Sequence, residues 1–325
     1  MPSVTLVRPP LPTGPAVPNR WIRLLPLVGL LVLLAVGCRR EPEAIEGAPP
    51  EPVEAVAALA DALRDGDLER FARLSVPPAM YAEQQALWRR ELSTAAPLDP
   101  AEAERWRDAM ALLTAPEAEA ALWAKAEPRL KDLEQQIGPK WDIGVTMMAG
   151  FATAAVEANA TLSEPEKAHA RGLIDAVQTW AGDRARFTDP ARAKQAIGVA
   201  VRTARVLDLP DLDVLRGLEL EAALAKGGVA FRGAKSLAAA YGVDVDAALS
   251  KMQAETIALE GDRATVRVRY PLLGRTVEFE QPMVRIDGGW YRADAVESHR
   301  AAMAEATASA SADATAAPAT TPPAP

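Results

Sequence analysis

The feature that most constrains the fold of this chain is a change in the spacing of its apolar residues near Lys251. Before that point, apolar residues recur every three or four positions, which is the spacing of helices with one buried side. After it, apolar and polar residues alternate, and turn sequences separate the alternating stretches. The sequence therefore predicts an α+β fold: a mostly helical body followed by a C-terminal antiparallel meander of four or five strands.

Short capping sequences mark where the predicted helices begin. Each places a side-chain acceptor before the first turn together with a proline near the helix start, and both features favour initiation. These sequences are Asp99-Pro100, Thr114-Ala-Pro-Glu117, Ser163-Glu-Pro-Glu166 and Asp189-Pro190. An Asp65-Gly66-Asp67 break divides the first helical stretch in two. We expect a series of helices around a common core over residues 53–250.

Residues 141–160 depart from this one-sided pattern. Only Asp142 and Glu157 are charged, and apolar side chains fall on every side of the predicted helix. A helix that is apolar all round is typically central and buried, so we expect this one inside the core. Its methionines and glycines also suit a ligand groove. The charges and glycines argue against a second membrane span, which needs about 20 apolar residues.

The first predicted hairpin of the meander turns at Gly261-Asp262. Glycine supplies the positive φ that a two-residue turn requires. This turn predicts that Leu259 pairs with Ala264 and that Ile257 pairs with Val266.

The second predicted hairpin turns around Leu272-Leu273. This turn would place Val268 opposite Val277 on one face and Arg267 opposite Glu278 on the other. A slip of one residue would set apolar side chains against carboxylates. One face of the sheet is therefore predicted to be apolar and the other solvated.

The only cysteine of the chain stands at the end of an apolar segment. Residues 24–37 are uncharged and rich in leucine and valine, and Cys38 follows them directly. Their number fits the apolar region of a signal peptide better than a membrane span. The sequence Leu34-Ala-Val-Gly-Cys38 resembles a bacterial lipobox, with Ala35 at the position where that family prefers leucine.

The lipobox resemblance implies cleavage before Cys38 and attachment of a lipid to its sulfur. Residues 1–37 would be the signal peptide, and the Pro/Glu-rich residues 38–52 would be a tether. Arg39 replaces the aspartate that favours inner-membrane retention in enterobacteria, so the outer membrane is favoured over the inner. The alternative is an uncleaved signal anchor, which places the body outside the cytoplasm as well.

Two short sequences resemble parts of the NTF2-like family. They are ALRDGDLERFARLS at 62–75 and VRIDGGWYRAD at 284–294. The resemblance implies helices in the mouth of a curved sheet and supplies no catalytic residue. The general plan is also similar to that of uncharacterised proteobacterial lipoproteins.

The predicted body spans residues 53–300 and is followed by a C-terminal tail. Its helices occupy residues 53–250 and its strands residues 252–296. Residues 301–325 consist largely of Ala, Ser, Thr and Pro. So few bulky apolar side chains cannot offset the entropy of ordering, and we expect this tail to be disordered.

The sequence offers few side chains for catalysis or metal binding. Its 36 Lys+Arg against 44 Asp+Glu give a net charge of −8, which argues against a nucleic-acid binder. One cysteine excludes sites that need paired thiolates. The spacings of nucleophile elbows, phosphate-binding loops, HExxH pairs and EF-hand loops are absent from the sequence. We nominate no catalytic, cofactor-binding or metal-binding residue.

The histidines, clustered aspartates and sheet aromatics are better explained by structural roles than by catalysis, metal binding or ligand binding. His169 and His299 are the only histidines, and His169 is expected on a solvated helix face. The aspartates of LDLPDLDVL (207–215) suit helix capping better than a calcium site. Tyr270, Phe279 and Trp290 suit a core between sheet and helices better than the lining of a pocket.

We expect a non-catalytic envelope lipoprotein that presents a periplasmic binding or scaffolding domain. Its expected partners are the membrane, through the lipid on Cys38, and a periplasmic protein or a small apolar ligand. The alternatives are a single-span signal-anchored protein and an enzyme with an unrecognised pocket. A binding module predicts an apolar pocket or an exposed apolar patch, whereas an enzyme predicts convergent polar groups with perturbed pKa values.

Overall fold

The structure is a computed structural model that describes residues 48–95, 98–136, 138–160 and 162–316. It confirms the α+β fold, with a helical body and a C-terminal antiparallel sheet. The helices are α1 (Pro52–Asp65), α2 (Leu68–Ser75), α3 (Pro78–Thr94), α4 (Pro100–Thr114), α5 (Ala118–Gln136), α6 (Trp141–Ala158), α7 (Glu164–Ala181), α8 (Ala185–Thr188), α9 (Pro190–Leu207), α10 (Leu220–Ala240), α11 (Val245–Ser250) and α12 (Ala293–Ala316). The strands are β1 (Gln253–Glu260), β2 (Arg263–Leu272), β3 (Arg275–Ile286) and β4 (Gly289–Arg292), in that order across the sheet.

Helices begin at the predicted capping sequences. The Asp99 and Asp189 carboxylates accept hydrogen bonds from the second backbone N–H of α4 and α9. The Ser163 backbone N–H donates to the Glu166 carboxylate at 2.7 Å, completing a capping box at the start of α7. Gly66 ends α1 in the left-handed region at φ 64°.

The first hairpin has part of the predicted register. Leu259 pairs with Ala264, as predicted. The predicted pairing of Ile257 with Val266 is wrong, because Thr256 lies opposite Val266 instead. The register shifts between Thr256 and Ala258, so Ile257 is the additional residue of a β-bulge.

The second hairpin differs from the predicted register by two residues. Val268 pairs with Phe279, and Arg267 pairs with Glu280. The turn uses Leu273 and Gly274, whose φ values of 53° and 80° are both positive, as a tight two-residue hairpin turn requires. A shift of two residues keeps every side chain on its predicted face.

The two faces of the sheet have different surroundings. Helices α1, α7 and α11 contact the strands from the apolar face, which includes the fully buried Val266 and Val268. On the other face, Arg267 bonds Glu280 at 3.0 Å and lies 3.4 Å from Glu255. The predicted division into an apolar and a charged face is therefore present.

Contacts of the body continue past its predicted boundaries on both sides. At the N-terminal side, the carbonyl of Pro49, within the predicted tether, accepts a hydrogen bond from Trp290 N–H at 3.1 Å. At the C-terminal side, helix α12 extends through Ala316, into the predicted tail. Alanine has high helix propensity, and Arg90 of α3 contacts this extension by donating to the Ala306 carbonyl at 3.1 Å.

Helix α10 holds the end of α1 in the centre of the body. The Lys235 side chain is only 8% exposed, and its Nζ donates to the Arg64 carbonyl and to Asp246 Oδ1, each at 2.7 Å. A methyl group on Gly228 would lie 2.3 Å from the carbonyl oxygen of Gly66. Glycine at position 228 therefore permits the close approach of the two chain segments.

Candidate functional site

Helix α6 lies on the outside of the body, and the prediction that it is central and buried is wrong. None of its residues is buried. Its main neighbour is α7, which covers one side of it. The large apolar side chains on its remaining sides are exposed and face outward.

The N-terminal end of α6 is fixed by aromatic side chains. Trp141 donates its indole N–H to the Ala181 carbonyl at 2.7 Å, and its ring lies 5.2 Å from that of Phe187. Phe187 in turn contacts Trp180 and Tyr241, with centroid distances of 4.9 and 5.9 Å. These contacts position α6 against the rest of the body, so its exposed side is a fixed surface.

The exposed side of α6 is apolar over three helical turns. Ile143, Met147, Met148 and Phe151 are 69, 54, 66 and 62% exposed. No charged residue occurs between Asp142 and Glu157. We define the α6 face as Ile143, Met147, Gly150, Phe151 and Ala154, which share one side of the helix. These three turns of helix carry the largest run of exposed apolar side chains among the residues that the structure describes.

No helix in the described part of the chain is both long and apolar enough to cross a membrane.

Two glycines of α6 have open space beside them. A methyl group added at either Gly144 or Gly150 would meet nothing within 4 Å. The space beside the helix is therefore open to another molecule.

A separate pocket of about 320 Å³ lies between the sheet and α12. Strands β1, β2 and β3 form one wall and the first turns of α12 the other. Its polar lining consists of Glu260, Arg263, Thr265, Glu297 and Arg300. Two acidic and two basic side chains balance the charge of this pocket, so it has no preference for a ligand of one sign.

His169 contacts the sheet, which corrects the prediction that it lies on a solvated helix face. Its Nε2 is 3.0 Å from the Tyr270 hydroxyl, and its ring stacks on Phe279 at 4.8 Å. Burial lowers the pKa of His169 and raises the pKa of Tyr270 to about 12. Both side chains are therefore uncharged at neutral pH, and the cluster joins α7 to the sheet.

His299, unlike the partly exposed His169, is a buried histidine. It is 5% exposed, and its Nε2 lies 2.7 Å from the Glu83 carboxylate. The contact joins α12 to α3.

The aspartates of residues 207–215 act in local structure. Asp208 ends α9 in the left-handed region, and Asp211 caps the following 3₁₀ helix by accepting from Asp213 N–H. Asp211 also pairs with Arg107 at 3.1 Å; the hydrogen bond from the Asp213 backbone and the Arg107 guanidinium lower its pKa. Within the described residues, no group of three or more His, Cys, Asp and Glu side chains is placed to hold a metal ion.

Cys38, the predicted lipid-attachment residue, lies outside the described residues.

The α6 face was not predicted as a surface from the sequence, because composition alone cannot distinguish a buried apolar helix from an exposed one. One signal was available: Ile143, Met147, Gly150 and Ala154 have the alternating spacing of four and three residues that helix pairs use.

No family model matches this sequence, and no curated protein or solved structure shows significant similarity to it.

Proposed function

We propose that this protein is a non-catalytic envelope lipoprotein whose body binds another protein chain through the α6 face. The observation that carries the proposal is the exposed apolar surface of α6. Monomeric proteins rarely expose contiguous apolar patches of this kind, and such patches mark interaction sites. The aromatic contacts of Trp141 support a binding role because they hold the surface in one position.

The size of the apolar side chains supports a protein as the partner. Complete burial of a side chain such as Ile143, Met147 or Phe151 contributes about 1.5–3 kcal/mol. A few such side chains at the centre of an interface account for most of the affinity of many protein complexes. The α6 face is convex, as a helix surface is, and it suits a groove or a second helix better than a small ligand.

Lipid attachment at Cys38 is the second part of the proposal. The lipobox resemblance supports it, and a tether of residues 38–47 would hold the body within about 35 Å of the membrane surface. Intact mass spectrometry of the protein from native membranes tests this part. We expect a mature chain that begins at Cys38 and carries acyl groups, and we expect Cys38→Ser to abolish both processing and acylation. A full-length wild-type chain would contradict it and favour the signal anchor.

Photo-crosslinking in intact cells tests the binding face. A photoreactive amino acid replaces Phe151 or Ile143 on α6, and Glu104 on the exposed side of α4 serves as the control. We expect protein adducts from positions 151 and 143 and none of the same mass from position 104. Absence of adducts from both α6 positions, or equal adducts from the control, would contradict the proposal.

A further inference from the structure

We propose that the chain bound at the α6 face is a second copy of this protein, paired through antiparallel α6 helices. This inference rests on the binding role proposed above for the same face. The order of large, small and charged residues along the helix favours this pairing.

The α6 face has the spacing of a helix-pairing seam. Ile143, Met147, Gly150 and Ala154 follow one another at intervals of four, three and four residues. This spacing keeps side chains of two crossing helices in register over several turns. Helix α6 has 18 residues and is about 27 Å long, enough for four contact layers.

The seam is complementary to itself when it is reversed. A two-fold axis that passes between Met148 and Ala149 brings Met147 of one copy opposite Gly150 of the other. The same axis brings Ile143 opposite Ala154. A large side chain therefore meets a small one in every central layer, which allows close packing of the two helices.

The ends of the helix are complementary in charge under the same axis. Lys140, the exposed N-cap residue, lies opposite Glu157 of the second copy. The Glu157 side chain is 45% exposed and pairs with Arg171 of its own chain, which leaves carboxylate surface accessible to the lysine. Because a two-fold interface repeats every contact, the pairing occurs twice.

A parallel arrangement lacks this complementarity. It would place Gly150 opposite Gly150 and Met147 opposite Met147, with a gap at one layer and crowding at the other. It would also bring the two Lys140 ammonium groups together. The antiparallel pair is therefore the arrangement that the sequence of the face favours.

Disulfide trapping tests the register. The full-length Met147→Cys and Gly150→Cys single variants are oxidised in detergent, each alone and as an equal mixture, and the wild-type protein, whose only cysteine is Cys38, is the blank. We expect a covalent dimer from the mixture and none from either variant alone or from the wild type. A mixture that does not cross-link, or a single variant that cross-links to itself, would overturn the antiparallel register.

A second variant separates loss of pairing from loss of folding. Gly150→Leu fills the space opposite Met147 of the second copy but meets no atom within 4 Å of its Cβ in its own chain. We expect sedimentation velocity to show a dimer for the wild type and a rise of at least tenfold in the dissociation constant for Gly150→Leu. Gly144→Ala, also in open space but off the seam, should leave the dimer intact. A dimer that is insensitive to Gly150→Leu would overturn the inference.

The outcomes distinguish this inference from the proposed function. A monomeric wild-type protein that cross-links from Phe151 to a different protein would overturn the second-copy inference and leave the binding role standing. A monomer whose adducts from Phe151 are phospholipid would overturn both and make the membrane the occupant of the α6 face.

Discussion

Individual buried polar residues make connections that the apolar core does not. Lys235 is nearly inaccessible, yet its ammonium group bonds the Arg64 carbonyl and the Asp246 carboxylate. A buried charge is tolerated when its hydrogen bonds are made. This one joins α10 both to the end of α1 and to α11, immediately before the sheet.

Replacement of Lys235 by methionine should lower the free energy of unfolding by about 1.5–3 kcal/mol, the usual contribution of a hydrogen bond to a charged group. Methionine keeps the length of the side chain but leaves the Arg64 carbonyl without this donor. Urea unfolding measures the effect. Lys131→Met is the matched control, because the Lys131 side chain is 67% exposed and should change stability by less than about 0.5 kcal/mol. Equal effects for the two variants would contradict the role of Lys235.

His169 gives stability a pH dependence whose sign follows from its burial. Burial lowers its pKa below the ordinary value of 6.5, so below that pH the unfolded chain binds more protons than the folded chain. This contribution to stability is present above pH 6.5 and is lost as the pH falls through 6.5 toward the folded pKa. The facing titratable group, Tyr270, stays protonated throughout because its pKa is about 12.

His169→Gln should therefore lose less stability than the wild type between pH 7.5 and pH 5.5. Glutamine can still bond the Tyr270 hydroxyl but does not titrate. Urea unfolding of both proteins at the two pH values measures the difference. Identical losses in the two proteins would show that His169 takes up no extra proton on unfolding.

At the scale of elements, glycine positions show where helices approach closely and where they do not. Gly228 of α10 lies against the Gly66 carbonyl, whereas Gly144 of α6 has open space around it.

Alanine substitutions at these two glycines should have opposite effects on stability. Alanine at position 228 would force two backbone segments apart, and overpacking of this kind costs about 1–3 kcal/mol. Alanine at position 144 would only reduce the freedom of the unfolded chain and should stabilise by about 0.5–1 kcal/mol. Thermal unfolding of the two variants should therefore shift in opposite directions, and a shift in the same direction would contradict the described packing of α10 or of α6.

Local signals predicted most elements of this fold. The capping sequences at Asp99, Ser163 and Asp189 act within one turn of the chain, so they can be recognised without knowledge of the tertiary structure. The change from helical spacing to alternation near Lys251 is equally local. These two signals account for the correct fold class and for most helix starts.

Features that depend on distant contacts were predicted less well. The second hairpin was misplaced by two residues because such a shift preserves the apolar and charged faces, and only the turn at Leu273 and Gly274 distinguishes the two registers. The surroundings of α6 and His169 were also mistaken. Whether a neighbouring helix or a strand covers a side chain is decided by the packing of the whole body, and no local pattern encodes it.

At the scale of the whole molecule, the α6 face is the largest group of neighbouring exposed apolar side chains in the described part of the chain. Elsewhere, helices cover the apolar face of the sheet, α12 contacts β3 and β4, and ion pairs lie on the charged face. Helix α6 is held by Trp141 at one end and exposes three apolar turns. We therefore predict that another protein chain covers this face in the cell.

Methionine oxidation in native membranes tests this claim most directly, since it needs no substitution. Met147 is 54% exposed in the isolated chain, and the buried Met110 and Met283, 5 and 1% exposed, are internal references for protection. After brief peroxide treatment, tandem mass spectrometry measures sulfoxide at each residue. We predict that Met147 is nearly as protected as Met110 and Met283 in the membrane and becomes reactive when the protein is diluted in detergent. Rapid oxidation of Met147 in the membrane, with both references protected, would mean that nothing covers the α6 face and would contradict the account.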